Sequence, residues 1–460
     1  RAVDMNIKKI MALLLTTLLI MGTFVGCGNN KPKESSKTVD KNTEKENGSG
    51  EEAQDKESSL SGEVVYWSMW SENEPQAKIL KGAIERFEKA NPDVKVDVQW
   101  QGRGVRDLVI PAIEGGQKLD IFDSDPVGMY TSLGKSLLNL DELYSSPSIS
   151  DPSKTLAETI LPSLVKWDKS LADGVELNGH FSVPYAPYAV TWFYNKDHFE
   201  KAGIKSVPKT WEELDAACAS LKEAGYKPIT VDDAYYSMMF SYYLDRAITN
   251  DEVAKLVSDN TGESWDNPLV VQAIEAFEDF HKKGYFAPEV ETNKYPAGQQ
   301  QVALDEATMY FNGTWLPAEV SATTGPDFNW GQFTFPTVPN GKGKITDLTF
   351  GGQAFLANAK TDNKEATLEL LKYFVDTKTQ EAFAEEGLTA CTVGTKWPDS
   401  IADAQAIVSE ADKNINWGAN LSGDFAEAIV VPEMVNVMIG KSTAKEFIEK
   451  MKKDAKTYAK

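Results

Sequence analysis

The sequence predicts an α/β fold, because short strands alternate with amphipathic helices along the chain. Val94, Val96 and Val98 alternate with polar residues, a pattern typical of a half-exposed strand. Apolar residues before them repeat at helical spacing, and residues 120–122 are predicted as a further short strand. This strand–helix–strand order favours a sheet with helices on its faces. About 400 residues follow residue 60, too many for one hydrophobic core, so two domains are expected.

The first predicted elements are a strand over residues 63–67 and the helix that follows it. Four apolar residues of this helix are spaced at i, i+3, i+4 and i+7, so they share one face. They are Leu80, Ala83, Ile84 and Phe87. The helix is predicted to end before Asn91 and Pro92, because a proline disfavours helical backbone in the residue before it.

Capping residues mark the starts of three later helices. Thr210 and Glu213 form the pattern of a capping box. Asn267 precedes a proline that suits the first turn of the next helix, and Asp362 and Glu365 are expected to cap a third. The last predicted helix carries the apolar stripe Ala444, Phe447, Ile448, Met451 and Ala455.

The amino terminus has the order of a secretory signal peptide. Lys8 and Lys9 precede an apolar run over residues 10–25, shorter than the ~20 residues that a stable membrane-spanning helix needs. The run ends in a small residue followed by Cys27, and this junction resembles the bacterial lipoprotein box. Residues 1–27 are therefore predicted to be a lipoprotein signal peptide whose Cys27 becomes lipidated with palmitate. A plain secretory signal with an incidental cysteine is the alternative.

Residues 28–60 are predicted to be a disordered tether. They contain mostly Lys, Glu, Ser, Asn and Gly, with almost no large apolar side chain. Such a composition cannot bury enough surface to offset the entropy of folding. The tether would let a folded body stand off the membrane; a disordered spacer without a membrane partner is the alternative.

Charge, cysteine and histidine content exclude several classes of function. The net charge of −22 disfavours nucleic acid and anionic lipid as ligands, since both recruit Lys and Arg. Apart from Cys27, the chain has Cys218 and Cys391, which lie far apart, so no disulfide framework is expected. The three histidines are also scattered, at His180, His198 and His281. A zinc site or a Ser-His-Asp triad is therefore not expected, and no cofactor is predicted.

Three motifs that would indicate an enzyme or a bound ion are incomplete. Asp123 and Asp125 resemble a glycosidase pair, but neighbours on one loop seldom flank a glycosidic bond as this chemistry needs. Residues 102–107 lack the third glycine of a dinucleotide-binding fingerprint. Residues 412–423 begin like a calcium loop but lack its glycine and its bidentate glutamate. No catalytic residue and no metal site are predicted.

Further segments follow one another in the order of a known family. They are residues 64–67, 87–92, 115–122, 193–197, 201–204, 208–214, 309–315 and 351–356. The run from 193 to 214, with FYNKD, KAGI and PKTWEEL, is the most specific of them. Together they resemble the extracellular solute-binding proteins of ABC importers, of the carbohydrate-uptake type that includes maltose-binding protein. The resemblance covers the chain from the signal peptide to the end.

The resemblance implies a two-lobe, periplasmic-binding-protein-like α/β fold with a hinge and a ligand cleft between the lobes. Lobe 1 is expected to comprise residues 61–187 plus 348–392, and lobe 2 residues 188–347 plus 393–460. The crossovers between them are expected near residues 184–190, 347–351 and 388–395. Ligand binding is then expected to close the lobes by rotation about this hinge.

The same resemblance implies aromatic ligand contacts. Trp315 follows an Asn-Gly turn, after which an aromatic residue faces the ligand in the family; a role in the interior is the alternative. Tyr188 lies at a position that contacts ligand in maltose-binding protein, and Tyr185 belongs to the same crossover. Trp417 lies in the last third of the chain, where the family supplies another aromatic stacker.

Loops after two predicted strands supply the remaining candidates. Trp70, Ser71 and Glu72 follow the first strand, although Trp70 replaces the small polar residue usual in the family. Asp123 and Asp125 follow the third strand, at the carboxyl end where α/β sheets bind ligands. A carboxylate accepts hydrogen bonds from two adjacent hydroxyls, which suits a sugar. Capping of the loop is the alternative role for each aspartate.

These features predict a sugar or oligosaccharide ligand, captured outside a bacterial cell and delivered to the membrane permease subunits of an ABC importer. The protein is expected to be a monomer, lipid-anchored at the extracellular face of the cell membrane, without a nucleic acid partner. An anionic solute would require Arg or Lys in the cleft segments, which instead are rich in Tyr, Trp and Asp. A polyamine stays open as the alternative, because a cation uses the same residues. A structural lipoprotein or adhesin would show neither hinge closure nor a small ligand.

Overall fold

The computed structural model describes residues 60–458. The predicted signal peptide with Cys27, and the predicted tether apart from Leu60, lie outside the described residues. The described chain alternates strands and helices, which confirms the predicted α/β class.

The strands of the described residues form two sheets. They are β1 (Gly62–Ser68), β2 (Val94–Trp100), β3 (Ile121–Ser124), β4 (Ser182–Asn195), β5 (Lys227–Ile229), β6 (Ala307–Gly313), β7 (Trp330–Phe333), β8 (Asp347–Leu348), β9 (Phe350–Ala357) and β10 (Lys413–Asn414). The larger, eight-stranded sheet has the order β2-β1-β3-β9-β4-β6-β5, with β7 paired to β4. β8 pairs with β10 in the smaller sheet.

Helices cover the larger sheet and fill the connections between its strands. They are α1 (Pro75–Ala90), α2 (Val105–Glu114), α3 (Pro126–Leu133), α4 (Asp141–Ser145), α5 (Leu156–Thr159), α6 (Pro162–Gly174), α7 (Lys196–Lys201), α8 (Trp211–Glu223), α9 (Tyr236–Ile248), α10 (Asn250–Ser258), α11 (Pro268–Lys283), α12 (Ala297–Ala303), α13 (Leu316–Glu319), α14 (Ser321–Thr324), α15 (Lys364–Phe374), α16 (Thr377–Glu385), α17 (Ala402–Ser409), α18 (Val431–Met438) and α19 (Ala444–Tyr458). Short 3-10 turns and one π turn supplement them.

β4 links the two halves of the larger sheet. Its first part, residues 182–189, pairs antiparallel with β9, and its second part, residues 190–195, pairs antiparallel with β6 and β7. The pairing with β9 shifts register between Pro184 and Ala186, as a β-bulge at Tyr185 does. The predicted first crossover, residues 184–190, therefore falls within one continuous strand.

Two clusters of buried apolar side chains pack on the two halves of this sheet. The helical face predicted around Leu80 and Phe87 joins Phe122 of β3 in the first cluster. The apolar stripe predicted for the last helix belongs to α19 and joins Trp192 of β4 in the second cluster. The spacing of apolar residues thus identifies the buried faces of both helices correctly.

Two predicted helix starts are confirmed. The Thr210 hydroxyl accepts a hydrogen bond from the Glu213 N–H (3.2 Å), and the Glu213 carboxylate accepts one from the Thr210 N–H (3.3 Å), which forms the capping box of α8. The Asn267 side chain accepts from the Leu269 N–H (3.0 Å) where α11 begins.

The predicted start of α15 is wrong. The helix begins after Asn363, and neither this residue nor Asp362 provides a side-chain cap. The Asn363 amide instead donates to the backbone carbonyl of Glu63 (2.6 Å). A bond to a neighbouring strand has therefore replaced the local cap that the sequence pattern favours.

The segment around α17 contacts both halves of the sheet. The Trp397 indole N–H donates to the Ala390 carbonyl (2.7 Å), and Trp397 belongs to the first apolar cluster. The Gln332 side chain of β7 donates to the Ser400 carbonyl (2.8 Å) and accepts from the Ala404 N–H (3.3 Å). Because this segment packs on both sides, the lobe boundary at residues 392–393 stays a prediction.

Residues 60–458 carry no candidate membrane span and no candidate metal cluster, and both of their cysteines are buried. No helix in this range is long and apolar enough to cross a membrane. No group of three or more His, Cys, Asp or Glu side chains in it is placed to hold a metal ion. Cys218 and Cys391 are buried free thiols, and burial raises the pKa of both. They therefore stay protonated and act as apolar core residues.

Candidate functional site

A cavity of about 750 Å³ lies where the loops after β1, β3 and β6 meet the middle of β4, β9 and the segment after β10. This volume is typical of a small-molecule site. Because β1 and β3 are parallel neighbours, their carboxyl ends bring Trp70 and Asp125 to one edge of the cavity. The polar and aromatic part of its wall comprises Trp70, Gln76, Asp125, Trp167, Tyr188, Thr314, Trp315, Thr349, Phe350, Gln353, Phe383, Thr389, Asn414, Asn416 and Trp417.

Three aromatic rings from three separate segments meet on one side of the cavity. Tyr188 lies 5.9 Å from Trp315 and 6.3 Å from Trp417, measured between ring centroids, with the planes steeply inclined. The Trp315 and Trp417 rings lie 5.9 Å apart and only 31° from parallel. We call these three residues the aromatic platform. Flat apolar ring faces of this kind complement the apolar face of a planar or ring-shaped ligand.

Two glycines make room for the aromatic platform. A Cβ added at Gly313, the last residue of β6, would collide with the Trp315 indole ring. A Cβ at Gly351 of β9 would lie 2.9 Å from both the Tyr188 hydroxyl and the Trp167 ring. The family-like Asn-Gly and Gly-Gly segments therefore have a steric reason, which is close packing of rings onto backbone.

Trp417 is half exposed but stands on a fixed base. Its side chain is 51% exposed. The next three residues all have positive φ, at 66° for Gly418, 46° for Ala419 and 61° for Asn420. The Asn420 side chain donates to the Asn250 carbonyl (3.1 Å), and Ala419 is buried in the second cluster. A strained turn that the surrounding structure holds in place is typical of functional sites.

Trp70, which lines another part of the cavity, is held by a buried hydrogen-bond network. The Trp70 indole N–H donates to the Tyr185 hydroxyl (2.5 Å), which donates to the Asp123 carboxylate (2.6 Å). The Tyr66 hydroxyl (2.8 Å) and the Met69 N–H (3.1 Å) donate to the other carboxylate oxygen. We call Asp123, Tyr66, Tyr185 and Trp70 the Asp123 network.

The electrostatics of the Asp123 network follow from its burial. Burial raises the pKa of Asp123 to about 6, although hydrogen bonds from Tyr185, Tyr66 and Ser68 oppose the rise. Burial and the Asp123 charge raise the pKa of the Tyr66 and Tyr185 hydroxyls well above the ordinary value. Both hydroxyls therefore remain protonated and serve as donors to the carboxylate.

The cavity wall carries negative but not positive charge. Asp125 is its charged residue, and no Lys, Arg or His among the described residues lines it. Burial and the Asp125 charge raise the pKa of the Tyr188 hydroxyl, so that it stays protonated. The wall thus offers one carboxylate, several amides and hydroxyls, and aromatic faces.

Five predicted contact residues lie on the cavity wall. They are Trp70, Asp125, Tyr188, Trp315 and Trp417. Asp125 also fulfils the alternative role considered for it, because its carboxylate caps α3 by accepting from the Val127 N–H (3.3 Å).

Four predicted contact residues lie away from the wall. Asp123 is the third residue of β3 and is fully buried, because the strand continues one residue past the predicted loop start. Tyr185 is buried too and stacks on Phe355 with ring centroids 4.1 Å apart. Ser71 and Glu72 are exposed, and Glu72 pairs with Lys81 (2.5 Å). The positions of these four residues therefore do not support direct contact with a ligand in the cavity.

Sequence reasoning missed several wall residues. Trp167 lies on the inner face of α6, where helical spacing alone suggests a core role. In the sequence, Asn414 and Asn416 are conspicuous only as part of an incomplete calcium loop, yet both line the cavity. Gln353 follows the Gly-Gly pair of β9. Glycines in a strand indicate a close approach of another group to the backbone, but they do not predict that the next residue, Gln353, lines a cavity.

These observations define a class of protein. A two-core α/β chain with a cavity of aromatic, amide and carboxylate groups has the features of a site that binds a small polar solute. Over residues 70–381 the chain matches the family of bacterial extracellular solute-binding proteins, and it belongs to that family. The family is one of binding proteins and not of enzymes, as the sequence predicts.

Curated relatives match part of the chain. The chain is 25% identical over 202 residues to a binding protein of Brucella abortus, covering 42% of this chain and 46% of the relative. It is 30% identical over 156 residues to the sn-glycerol-3-phosphate-binding periplasmic protein UgpB of Salmonella typhimurium, covering 33% of this chain and 34% of UgpB. The chain thus spans about half or less of the length of the curated relatives it matches.

Solved structures match the fold over most of the chain. A chitin oligosaccharide binding protein aligns with a TM-score of 0.58 at 21% identity, over 86% of this chain and 98% of that one. RafE in complex with raffinose aligns with a TM-score of 0.59 at 17% identity, over 86% and 99%. This likeness confirms the predicted two-lobe periplasmic-binding-protein fold.

Proposed function

We propose that the protein binds a neutral carbohydrate in this cavity and delivers it to an ABC importer. The observation that carries the proposal is the aromatic platform of Tyr188, Trp315 and Trp417 beside a wall of amides and one carboxylate. Ring faces pack against the apolar faces of a sugar, while Asp125 and the amides bond its hydroxyls. The chitin oligosaccharide and raffinose of the structural neighbours support the same ligand class.

The charge of the wall argues against an anionic solute. UgpB is named for sn-glycerol-3-phosphate, which carries a phosphate. Phosphate recognition relies on Arg, Lys or a cluster of backbone N–H groups, and the described wall contains neither basic residue. Asp125 at the wall would repel a phosphate. The partial match to UgpB therefore supports the family and not its ligand.

A polyamine is the second candidate. Asp125 has no ion-pair partner among the described residues, and a ligand ammonium group would supply one. Aromatic faces also attract cations. Against this candidate, one carboxylate is few for a ligand that carries several positive charges, whereas the many wall amides suit hydroxyl groups.

The remaining parts of the proposal concern location and delivery. We propose that the chain is a monomeric lipoprotein, tethered through Cys27 to the extracellular face of the cell membrane. Ligand binding closes the two lobes, and the permease subunits of the importer recognise the closed form. The extracellular family supports the location, and the signal-peptide pattern of residues 1–27 supports the lipid anchor.

Calorimetric titration of the purified chain tests the ligand class. Raffinose, maltotriose, xylotriose, chitotriose, spermidine and glycerol-3-phosphate are each titrated, and each sample is then analysed for cleavage products. We expect saturable binding of at least one intact sugar, with a Kd of roughly 1 µM. Trp315→Ala should weaken it strongly, and Tyr458→Ala, which removes a half-exposed aromatic ring of α19 that is not on the cavity wall, should not.

The other outcomes are equally informative. Binding of spermidine without any sugar would replace the carbohydrate by a polyamine. Binding of glycerol-3-phosphate alone would contradict the charge argument. A cleaved sugar, or no binding of any kind, would overturn the proposed function. Acylation at Cys27 is tested separately, by mass spectrometry of the protein from bacterial membranes.

A further inference from the structure

Trp70 departs from the small polar residue that the family resemblance leads one to expect, and the structure holds it on two sides. The Asp123 network fixes its indole N–H from the interior. From the solvent side, the Arg103 guanidinium lies over the Trp70 ring, 4.4 Å from its centroid. Trp70 is only 7% exposed, so its remaining surface is the part that lines the cavity.

Arg103 is itself bound to the loop that carries Trp70. Its guanidinium donates to the Met69 carbonyl (2.7 Å) and to the Glu74 carboxylate (2.6 Å). The Glu74 carboxylate in turn accepts from the Ser71 N–H (2.5 Å). One cation therefore joins the two ends of the loop and covers the ring between them.

The turn that presents Arg103 is shaped for this contact. Gly102 has φ of +67°, a conformation that side chains rarely adopt, and its N–H donates to the Trp70 carbonyl (3.3 Å). The Gln101 N–H donates to the Ser68 carbonyl (3.0 Å). The Gly-Arg-Gly motif is not a dinucleotide fingerprint. It forms a turn that is bonded to the loop after β1 and that places Arg103 over the Trp70 ring.

We propose that Arg103 is a positioning residue that clamps Trp70 as a fixed wall of the ligand cavity. The clamp and the Asp123 network together leave the indole no free rotation, so the wall is formed before the ligand arrives. A preformed wall spares the ligand the entropy cost of ordering a tryptophan, and this raises affinity. The effect on sugar binding rests on the proposed function, whereas the clamp itself does not.

The first test measures Trp70 without any ligand. The protein is labelled with 5-fluorotryptophan, and Trp70→Phe assigns the Trp70 fluorine NMR signal. We expect Arg103→Ala to shift and broaden this signal while those of Trp192 and Trp265, deep in the second cluster, stay in place. Arg103→Lys should restore part of the shift, because it returns a cation to the ring. An unchanged Trp70 signal in Arg103→Ala would overturn the proposal.

Arg106→Ala is the matched control for charge. Arg106 is exposed one turn away, and its guanidinium lies beside Gly128 of α3, so its removal changes the net charge equally without uncovering the Trp70 ring. We expect the Trp70 signal of this variant to match that of the wild type. A shift as large as that of Arg103→Ala would mean a long-range effect of charge and would refute the clamp. Thermal unfolding of each variant verifies that it is folded.

The second test asks whether Arg103 acts on ligand through Trp70. Raffinose and chitotriose are titrated against the wild type, Arg103→Ala, Trp70→Ala and the double variant. We expect Arg103→Ala to weaken binding roughly 3- to 10-fold, and less than twofold when Trp70 is already alanine. Equal losses in both backgrounds would refute action through Trp70. If the wild type binds neither of these sugars, the titration is repeated with the panel sugar that it does bind. If it binds no sugar of the panel, the proposed function falls, while the fluorine signals still decide on the clamp.

Discussion

The two sides of the cavity are built on opposite principles. Trp70 is nearly buried and is held by hydrogen bonds and a cation, as part of the Asp123 network. The aromatic platform relies on ring contacts near 6 Å, and Trp417 is half exposed. Buried polar groups must be fully paired, and the Asp123 network meets this requirement within the protein. The Trp70 part of the wall therefore serves as a rigid scaffold. Where rings stand open, they are free to meet a ligand.

The largest expected effect comes from breaking the scaffold side. Tyr185→Ala removes a fully buried ring that stacks on Phe355, and with it the hydrogen bonds that Tyr185 makes to the Trp70 indole N–H and to one oxygen of the Asp123 carboxylate. We expect it to lower the free energy of unfolding by roughly 3–5 kcal/mol, as for other buried aromatics cut to alanine. Chemical denaturation measures the change. A loss below about 1 kcal/mol would show that the Asp123 network does not support the fold.

The next effect appears in the pH dependence of stability. The folded pKa of Asp123 is raised to about 6 from its ordinary value of 3.8. The protonated Asp123 carboxyl therefore stabilises the folded state fully below about pH 4, and this stabilisation is lost as pH rises through 6. Between these pH values the folded state keeps a proton that the unfolded state has released.

Asp123→Asn isolates this contribution, since an amide of similar size does not titrate. We expect the difference in unfolding free energy, wild type minus variant, to fall by roughly 3 kcal/mol between pH 3.5 and 7. Denaturation at several pH values measures it. A difference that stays constant or rises with pH contradicts the assignment. Asp245, whose pKa burial also raises to about 6, is present in both proteins and cancels.

A smaller effect should separate affinity from stability on the platform side. Gly313→Ala places a methyl group where the Trp315 indole lies, so the ring must move. We expect sugar affinity to fall roughly tenfold or more, in the range of a displaced hot-spot residue. Gly82→Ala on α1 is the control, since nothing lies within 4 Å of its added Cβ. Equal affinity in both variants would mean that Trp315 does not contact the sugar.

The smallest expected effect is on the stability of Trp417→Ala. A half-exposed ring with two ring contacts contributes modestly to the fold, so the free energy of unfolding should change by about 1 kcal/mol or less. Sugar affinity should nevertheless fall severalfold in calorimetry. A large loss of stability would place Trp417 with Trp70 on the scaffold side and remove the contrast between the two sides.

The sequence predicts the fold well, and it names three aromatic residues, Tyr188, Trp315 and Trp417, that the structure places on the cavity wall. Helical spacing identifies the buried faces of α1 and α19, and the Asn-Gly turn places Trp315 at the end of β6. Prediction fails where a position depends on distant partners. Asp123 looks like a loop residue, but Tyr66 and Tyr185 hold it in the interior. Asn363 stands at the start of α15 but does not cap it, because its amide donates to the carbonyl of Glu63 in β1, 300 residues away in sequence.

The wall of the cavity is assembled from segments that are far apart in the gene. Trp70, Asp125, Tyr188, Trp315 and Trp417 belong to five separate stretches, of which four follow the end of a strand and that of Tyr188 is the middle of β4. Each wall side chain can therefore be replaced by a substitution in its own stretch. Selection can therefore alter the solute one codon at a time, while the framework that shapes the cavity is inherited intact.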